Sequence, residues 1–190
     1  MITEKQIVAA RKRAQGYFRK TGIVLTEAEM NNIEVVDFGL GELEQSGLEI
    51  VTYINTDRCC AKELVLFPRQ TCPEHRHPPV AGEPGKEETF RCRWGKVYLS
   101  VEGPRTPNPK ARVPKGRAHT YTVWQEIELN PGEQYTLYPN TKHWFQAGPA
   151  GAVISEFSTK SRDESDIFTD AAIRRVRGVV DENAPHIQTV

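Results

Sequence analysis

Three histidines and one glutamate are spaced in a way that suits a metal site. His75 and His77 are one residue apart, so on an extended backbone both imidazoles point to the same face. Glu88 opens a predicted strand, and His143 follows the turn at Pro139. Three imidazoles and one carboxylate are a common ligand set for a divalent metal that keeps open positions. We therefore predict that His75, His77, Glu88 and His143 bind one divalent ion. Taken alone, the two closely spaced histidines are more typical of polar surface than of a metal site.

Two charged residues lie in apolar strands, where a charge is costly unless it is paired or functional. Glu156 lies within the apolar segment 153–157 and is our candidate for the catalytic base. Its alternative is an outward-facing glutamate on an edge strand. Lys62, the second candidate catalytic residue, has the strand parity of Leu64 and Leu66. Parity does not decide whether Lys62, Leu64 and Leu66 or the residues between them face the interior. The alternative for Lys62 is a lysine that lies along the surface.

Strand parity also suggests which aromatic side chains line the cavity. Phe90, Cys92 and Trp94 alternate in step with Glu88, so we predict that they share its face. Phe90 and Trp94 are therefore candidate substrate contacts.

The elements that position these residues are mostly short strands. Helices are predicted over 2–20, with Thr3 and Gln6 as a capping box, and from Thr26 to about Asn31. A last helix is predicted from Asp166 to about Val179. Turns rich in Pro and Gly separate the strands, which favours a sandwich or small barrel. The predicted strands cover 33–38, 49–55, 62–67, 88–101, 119–129, 134–138, 142–147 and 152–157.

This pattern predicts a single domain with three parts. Residues 1–32 form an N-terminal helical extension on the barrel, 33–165 form the β-barrel, and 166–190 form a C-terminal helix and tail. Residues 103–117 carry five basic residues among four prolines, which suits either an anion-binding lid or a solvated connection.

Two stretches resemble the cupin motifs. The first holds His75, His77, Glu88 and Gly95, and the second holds Gly132, Pro139 and His143. The gap between His77 and Glu88 is longer than usual, so we expect the insert at 78–86 to bulge outwards.

Longer segments look like the D-lyxose isomerase family of cupins, over about residues 55 to 175. They include Pro-Glu-His-Arg-His-Pro at 73–78, Gly-Lys-Glu-Glu-Thr-Phe-Arg at 85–91 and Ser-Glu-Phe-Ser-Thr at 155–159. The remaining matches are the run at 129–148 and Asp-Ile-Phe-Thr-Asp at 166–170.

The resemblance implies a mainly β cupin fold, that is, a double-stranded β-helix or jelly-roll barrel. It implies a manganese-dependent isomerase of D-lyxose and D-xylulose, with D-mannose and D-fructose as a related pair. It also implies that Lys62 faces inward, where it binds a sugar hydroxyl or assists proton transfer. Asp166 and Arg174 are further candidates for reaching the sugar.

Other functions remain open at this point. The same four ligands would suit a dioxygenase, the basic loop would suit a sugar-phosphate isomerase, and a non-catalytic sugar-binding cupin would need no base. The choice among related sugars is also open.

Composition limits the partners and the compartment. The chain has 190 residues, with 25 Lys and Arg against 25 Asp and Glu, so a nucleic-acid binder with a bulk positive field is disfavoured. No apolar run approaches the about 20 residues of a membrane span. The four cysteines contain no CxxC pair, so we interpret them as free thiols. No secretory signal segment is visible, so the expected location is the cytoplasm. Cupin sheet edges can be covered by a second copy, so we expect a homodimer.

Overall fold

The chain folds into two layers of antiparallel strands with helices on one side. The computed structural model describes residues 2–175 and 179–180. The helices are α1 (Glu4–Thr21) and α2 (Glu27–Asn31), with single 3₁₀ turns at Ala118–Thr120 and Asp163–Ser165. The strands are β1 (Ile2–Thr3), β2 (Glu34–Val36), β3 (Leu48–Asn55), β4 (Cys60–Leu66), β5 (Thr71–Arg76), β6 (Glu88–Val101), β7 (Gln125–Leu129), β8 (Gln134–Leu137), β9 (His143–Ser158), β10 (Ile167–Phe168) and β11 (Val179–Val180).

The two longest strands, β6 and β9, run through both layers. The first half of β6 pairs with β8 and with the second half of β9, and this layer continues through β4 and β3 to β2. The second half of β6 pairs with β7 and with the first half of β9, and this layer continues through β5 to β10. Sharing two strands curls the sheet around one interior. The mainly β, jelly-roll barrel fold is thereby confirmed.

Glycine makes the bend between the layers possible. Gly95 has a φ of 75°, and a Cβ built there would lie 2.1 Å from the carbonyl oxygen of Gly151. Any larger residue at this position would have to push the two strands apart. β9 is a single bent strand, although the sequence predicted two separate strands on either side of the glycines at 148 and 151.

A bulge just before this bend changes the side that Trp94 faces. The register between β6 and β9 shifts between Cys92 and Trp94. Trp94 therefore packs edge-on against Tyr17 of α1, with ring centroids 5.5 Å apart, on the outer side of the layer. The prediction that Trp94 lines the cavity is wrong, because an inserted residue reverses strand alternation beyond it.

Helix α1 follows its prediction closely. Thr3 and Gln6 form the capping box, and Gly22 ends the helix in the left-handed conformation. The apolar face packs on the outer surface of the layer that contains β4, against Val65 and Phe67. Its buried residues are Ile7, Ala10, Ala14, Tyr17 and Phe18.

The end of the chain differs from its prediction. Residues 166–175 form no helix: β10 pairs with the edge of β5, and the chain then turns so that the amide of Arg174 donates to the carbonyl of Phe38. Phe168 packs on His75 and Phe38, and these tertiary contacts override the local helical pattern. The remainder of the predicted helix and tail, at 176–178 and 181–190, lies outside the described residues. The division into 1–32, 33–165 and 166–190 stays a prediction.

The segment at 103–117 covers the outer surface of the other layer. Ala111 packs with Tyr98, Tyr121 and Trp144, and Lys110 pairs with Glu128. Strand β7 begins only at Gln125, because residues 118–124 belong to this cover. Within the described part of the chain, no helix has the length and apolar character needed to cross a membrane.

Candidate active site

Three histidines converge at one end of the barrel interior. His75 on β5 is paired in register with His143, the first residue of β9, and His77 follows β5 directly. One ring nitrogen from each lies within 4.8 Å of the others, and all three side chains are buried. The pairing of β5 with β9 thus brings together residues that are far apart in sequence.

Hydrogen bonds fix the orientation of each imidazole. The Nδ1 atom of His75 lies 2.8 Å from the carbonyl of Pro73, and that of His143 lies 3.0 Å from the carbonyl of Thr141. The Nδ1 atom of His77 lies 2.5 Å from the carboxylate of Asp166. With Nδ1 held by an acceptor, each ring has Nε2 available as a ligand atom.

Glu88 completes a set of donors suited to a divalent cation. Its Oε1 atom lies 3.0 Å from Nε2 of both His77 and His143. His143 Nε2 is buried and has no hydrogen-bond partner among the described residues, despite this proximity. A buried nitrogen that makes no well-aligned hydrogen bond but faces a buried carboxylate 3.0 Å away fits a metal ligand better than a structural histidine.

Electrostatics favours the metal-binding form of His75 and Glu88 but the protonated form of His77. Burial and the neighbouring histidines hold the pKa of His75 well below its usual value, so it is neutral. Burial alone would raise the pKa of Glu88, but Lys86 and His77 outweigh it and hold that pKa well below the ordinary range. For His77, burial favours the neutral form, but Glu88 and Asp166 outweigh it and raise the pKa to about 9. His77 must therefore lose a proton to serve as a ligand.

Glu156 and Lys62 both face this interior. They are direct partners across β4 and β9, and both are almost fully buried. Lys62 Nζ lies 3.9 Å from Glu156 Oε1 and donates to Ser161 at 2.9 Å and to Asp163 at 3.0 Å. The catalytic roles of both residues stay predictions.

Lys86 also belongs to this cluster, although its segment was expected to bulge outwards. Its Nζ atom lies 2.6 Å from Glu88 Oε2 and 3.1 Å from Glu156 Oε1. The chain can turn inward here because a Cβ at Gly85 would lie 1.9 Å from the carbonyl oxygen of His77, a space that only glycine leaves open. Lys86 has the parity of Glu88 and Phe90, which was the signal in the sequence that could have identified it.

A small cavity adjoins the cluster. Its volume is about 40 Å³, room for only a few water molecules. An apolar wall from β2, β3 and β4 faces the histidines and the charged groups across it. The lining includes Val36, Leu48, Ile50, Leu64, Phe168, Lys62, Lys86, Glu156, Asp163 and Arg175.

The remaining substrate candidates lie in different places. Asp166 lines the cavity and holds His77. Phe90 packs against His143 and Phe145 and is not among the residues that line the described cavity.

Arg174 does not reach the cavity. It is exposed, and its guanidinium donates to the carbonyls of Ala171 and Ile173. The prediction for Arg174 is wrong because it assumed a helical backbone. After the turn at 171–172 it is Arg175 that points inward, where it donates to Glu34 at 2.8 Å and to Asp163 at 3.3 Å.

Known proteins share this fold. The crystal structure of Acinetobacter sp. DL28 L-ribose isomerase in complex with L-ribose matches with a TM-score of 0.76 and 16% identity. The match covers 90% of this chain and 94% of that one. The X-ray structure of Cellulomonas parahominis L-ribose isomerase with L-ribose matches over the same shares of the two chains, with a TM-score of 0.75 and 17% identity.

Sequence relatives are much closer. The D-lyxose/D-mannose isomerase of Thermosediminibacter oceani is 61% identical over 181 residues, which is 95% of this chain and 100% of the relative. The D-lyxose ketol-isomerase of Cohnella laeviribosi is 64% identical over 167 residues, which is 88% of this chain and 92% of the relative. The family model described as D-lyxose isomerase matches residues 19–190. This chain therefore belongs to the D-lyxose isomerase family.

Proposed function

We propose that this protein is an aldose–ketose isomerase that interconverts D-lyxose and D-xylulose, and also D-mannose and D-fructose. The observation that carries this proposal is a buried carboxylate, Glu156, placed beside a three-histidine cluster and Glu88. Its relatives are named for D-lyxose and D-mannose, and these two aldoses share the configuration of the carbons nearest the carbonyl.

We infer that His75, His77, Glu88 and His143 hold one divalent ion, with manganese as the native metal. Such an ion would polarise the sugar carbonyl and stabilise the negative charge of an enediolate. Mixed nitrogen and oxygen ligands suit Mn²⁺ among several divalent ions, and the family resemblance favours it.

The residues of the chain perform the proton transfer. Glu156 accepts the C2 proton of the aldose and returns it to C1, and the hydroxyl proton passes from O2 to O1. Lys62, across the strand pair, donates to a sugar hydroxyl. Asp166 holds His77 in the orientation that directs Nε2 to the centre. The apolar wall of β2 to β4 excludes water from the reacting carbons.

A panel of free sugars tests the function. Metal-stripped protein should be inactive, and Mn²⁺, added as the only metal under anaerobic conditions, should restore D-lyxose to D-xylulose conversion. A requirement for oxygen with ferrous iron would indicate a dioxygenase, and sugar binding without conversion would indicate a binding protein. His143→Ala should lose bound metal, whereas His119→Ala, at an exposed histidine, should retain it.

The sugar-phosphate alternative is disfavoured by the basic segment itself. Lys110 is paired with Glu128, and Arg117 is paired with Glu42 and Asp170. Two of the five basic residues of the segment are thus already neutralised by acidic partners. We expect phosphorylated sugars to be poorer substrates than free ones.

We further propose a homodimer in the cytoplasm. Ile54 and Phe157 lie across β3, β4 and β9 on an open sheet surface, and they are 44% and 50% exposed, which suits coverage by a second copy. The four cysteines are free thiols, as expected in a reducing compartment. Sedimentation of wild type against Phe157→Glu tests the dimer, and cell fractionation tests the location.

A further inference from the structure

Lys86 is a buried cation shared by two buried carboxylates. Its side chain is 7% exposed, and its ammonium lies 2.6 Å from Glu88 Oε2 and 3.1 Å from Glu156 Oε1. One of these carboxylates is a proposed metal ligand and the other is the proposed base. The ammonium is therefore the direct link between the metal centre and the proton-transfer group.

The backbone holds Lys86 in this position. Gly85 lies so close to His77 that no side chain fits between them. On the other side, Glu87 makes two hydrogen bonds with Thr159: its amide donates to the Thr159 hydroxyl, and its carbonyl accepts from the Thr159 amide. The side chain of Lys86 is thus directed inward by a backbone fixed on both sides.

The two oxygens of Glu88 have different neighbours. Oε1 lies beside Nε2 of His77 and His143, and Oε2 accepts from Lys86. A divalent ion bound by the histidines draws on this same carboxylate. Two cations near one carboxylate repel each other strongly in a buried site, where screening by water is weak.

We propose that Lys86 is an internal counter-cation for Glu88 that competes with the divalent metal. This inference rests on the metal centre of the proposed function. In the metal-free protein the ammonium neutralises Glu88 and stabilises the fold. When the metal binds, it takes over the charge of Glu88, and Lys86 remains with Glu156. Lys86 therefore sets a lower affinity for metal than the four ligands alone would give, and it is a positioning residue for Glu156.

The test compares Lys86→Met, Lys86→Gln and Lys86→Arg with Lys96→Met. Lys96 is a matched control because it is a half-exposed lysine paired with Glu128, away from the site. The dissociation constant for Mn²⁺ is measured by competition with a chromophoric chelator, and thermal midpoints are recorded with and without Mn²⁺. We expect Lys86→Met and Lys86→Gln to bind Mn²⁺ at least tenfold more tightly than wild type. The thermal midpoints of these two variants without metal should be lower than that of wild type, and Mn²⁺ should raise them by more than it raises the wild-type midpoint. Lys86→Arg and Lys96→Met should behave as wild type does.

Unchanged or weaker Mn²⁺ binding by the neutral variants would overturn the competition. If a neutral variant folds only with metal, its affinity is obtained by withdrawing Mn²⁺ from the loaded protein with the same chelator. Wild-type protein that binds no divalent ion would overturn the proposed metal function, and this inference with it. Normal binding by wild type, with no change in the variants, would overturn this inference alone.

Discussion

Single residues carry the proposed chemistry, and Glu156 is the residue whose role can be tested most directly. Glu156→Gln preserves the shape of the side chain but removes the proton acceptor. We expect turnover to fall roughly 10²-fold or more, the usual contribution of a positioned base. Bound Mn²⁺ should stay at the wild-type level, since Glu156 is not among the proposed ligands. The measurements are steady-state kinetics, metal analysis and exchange of the C2 proton with solvent deuterium.

Glu63 provides a matched control for this substitution. It is a buried glutamate on the neighbouring strand β4, but it accepts from Ser155 on the outer side of the layer. Glu63→Gln should leave turnover largely unchanged. Near-normal turnover by Glu156→Gln would transfer the role of base to another group, with Lys62 as the first candidate.

Glu49 is another buried carboxyl, and it affects how the free energy of unfolding depends on pH. Burial raises its pKa well above the ordinary value, although Gln70 and Arg13 act in the opposite direction. The folded protein thus prefers the protonated form. As pH rises above the ordinary carboxyl pKa, the unfolded chain loses this proton first, and stability falls by about 1.4 kcal/mol per pH unit until the folded value is reached.

Glu49→Gln should remove this dependence. The variant should gain stability over wild type above the ordinary carboxyl pKa, and the gain should increase with pH until the folded pKa of Glu49 is reached. Urea unfolding at several pH values measures it. A constant difference across this range would show that Glu49 does not titrate on unfolding.

Many of the site residues could be predicted from the sequence because their local spacing determines which face of a strand they occupy. The alternation of His75 and His77 is enough to place both imidazoles on one face. Arg175 was missed because its position depends on a turn that no local pattern predicts. Lys86 was missed because a long insert suggested an outward loop, whereas the close approach of Gly85 to His77 directs it inward.

At the scale of elements, β5 depends on a glutamate that faces away from the proposed metal centre. Glu74 alternates with His75 and is buried. It accepts from the amide of Val123 at 3.0 Å and from the hydroxyls of Thr122 at 2.8 Å and Thr169 at 2.6 Å. One side chain thereby joins β5 to residues 122–123, which belong to the outer cover of this layer, and to Thr169, the residue after β10.

Glu74→Ala should leave these buried donors without an acceptor. We expect a loss of roughly 3 kcal/mol in the free energy of unfolding. Glu87→Ala, at an exposed glutamate, should change stability by less than about 0.5 kcal/mol. Chemical denaturation of both variants gives the comparison, and equal effects would assign no special role to Glu74.

The elements themselves were predicted unevenly. Helix α1 was predicted well because its cap and apolar face are local features. The strand alternation of β6 failed beyond Cys92, because a bulge is a property of the pairing with β9. The predicted helix after Asp166 failed because pairing with β5 and packing of Phe168 outweigh helical propensity.

For the whole molecule, the proposed metal site joins strands that are distant in sequence. His75 and His77 come from β5 and its end, Glu88 from β6, and His143 from β9. An ion that binds only the folded arrangement stabilises it by mass action. Removing metal with a chelator should lower the thermal midpoint by several degrees, and Mn²⁺ should restore it. His143→Ala should show no such response, and an unchanged wild-type midpoint would argue against these ligands.

The cavity of about 40 Å³ has a consequence for the timing of catalysis. It is far smaller than a usual ligand pocket, so a sugar reaches Glu156 only when part of the wall separates. Phe168 against Phe38, and Arg175 against Glu34, are the contacts that join the two edges of the sheet beside the cavity. Opening motions of this kind take microseconds to milliseconds. In many enzymes the opening step or the release of product, and not the chemical step, limits kcat. We therefore expect a C2-deuterated aldose to show a small isotope effect on kcat, with the full effect visible in a single turnover.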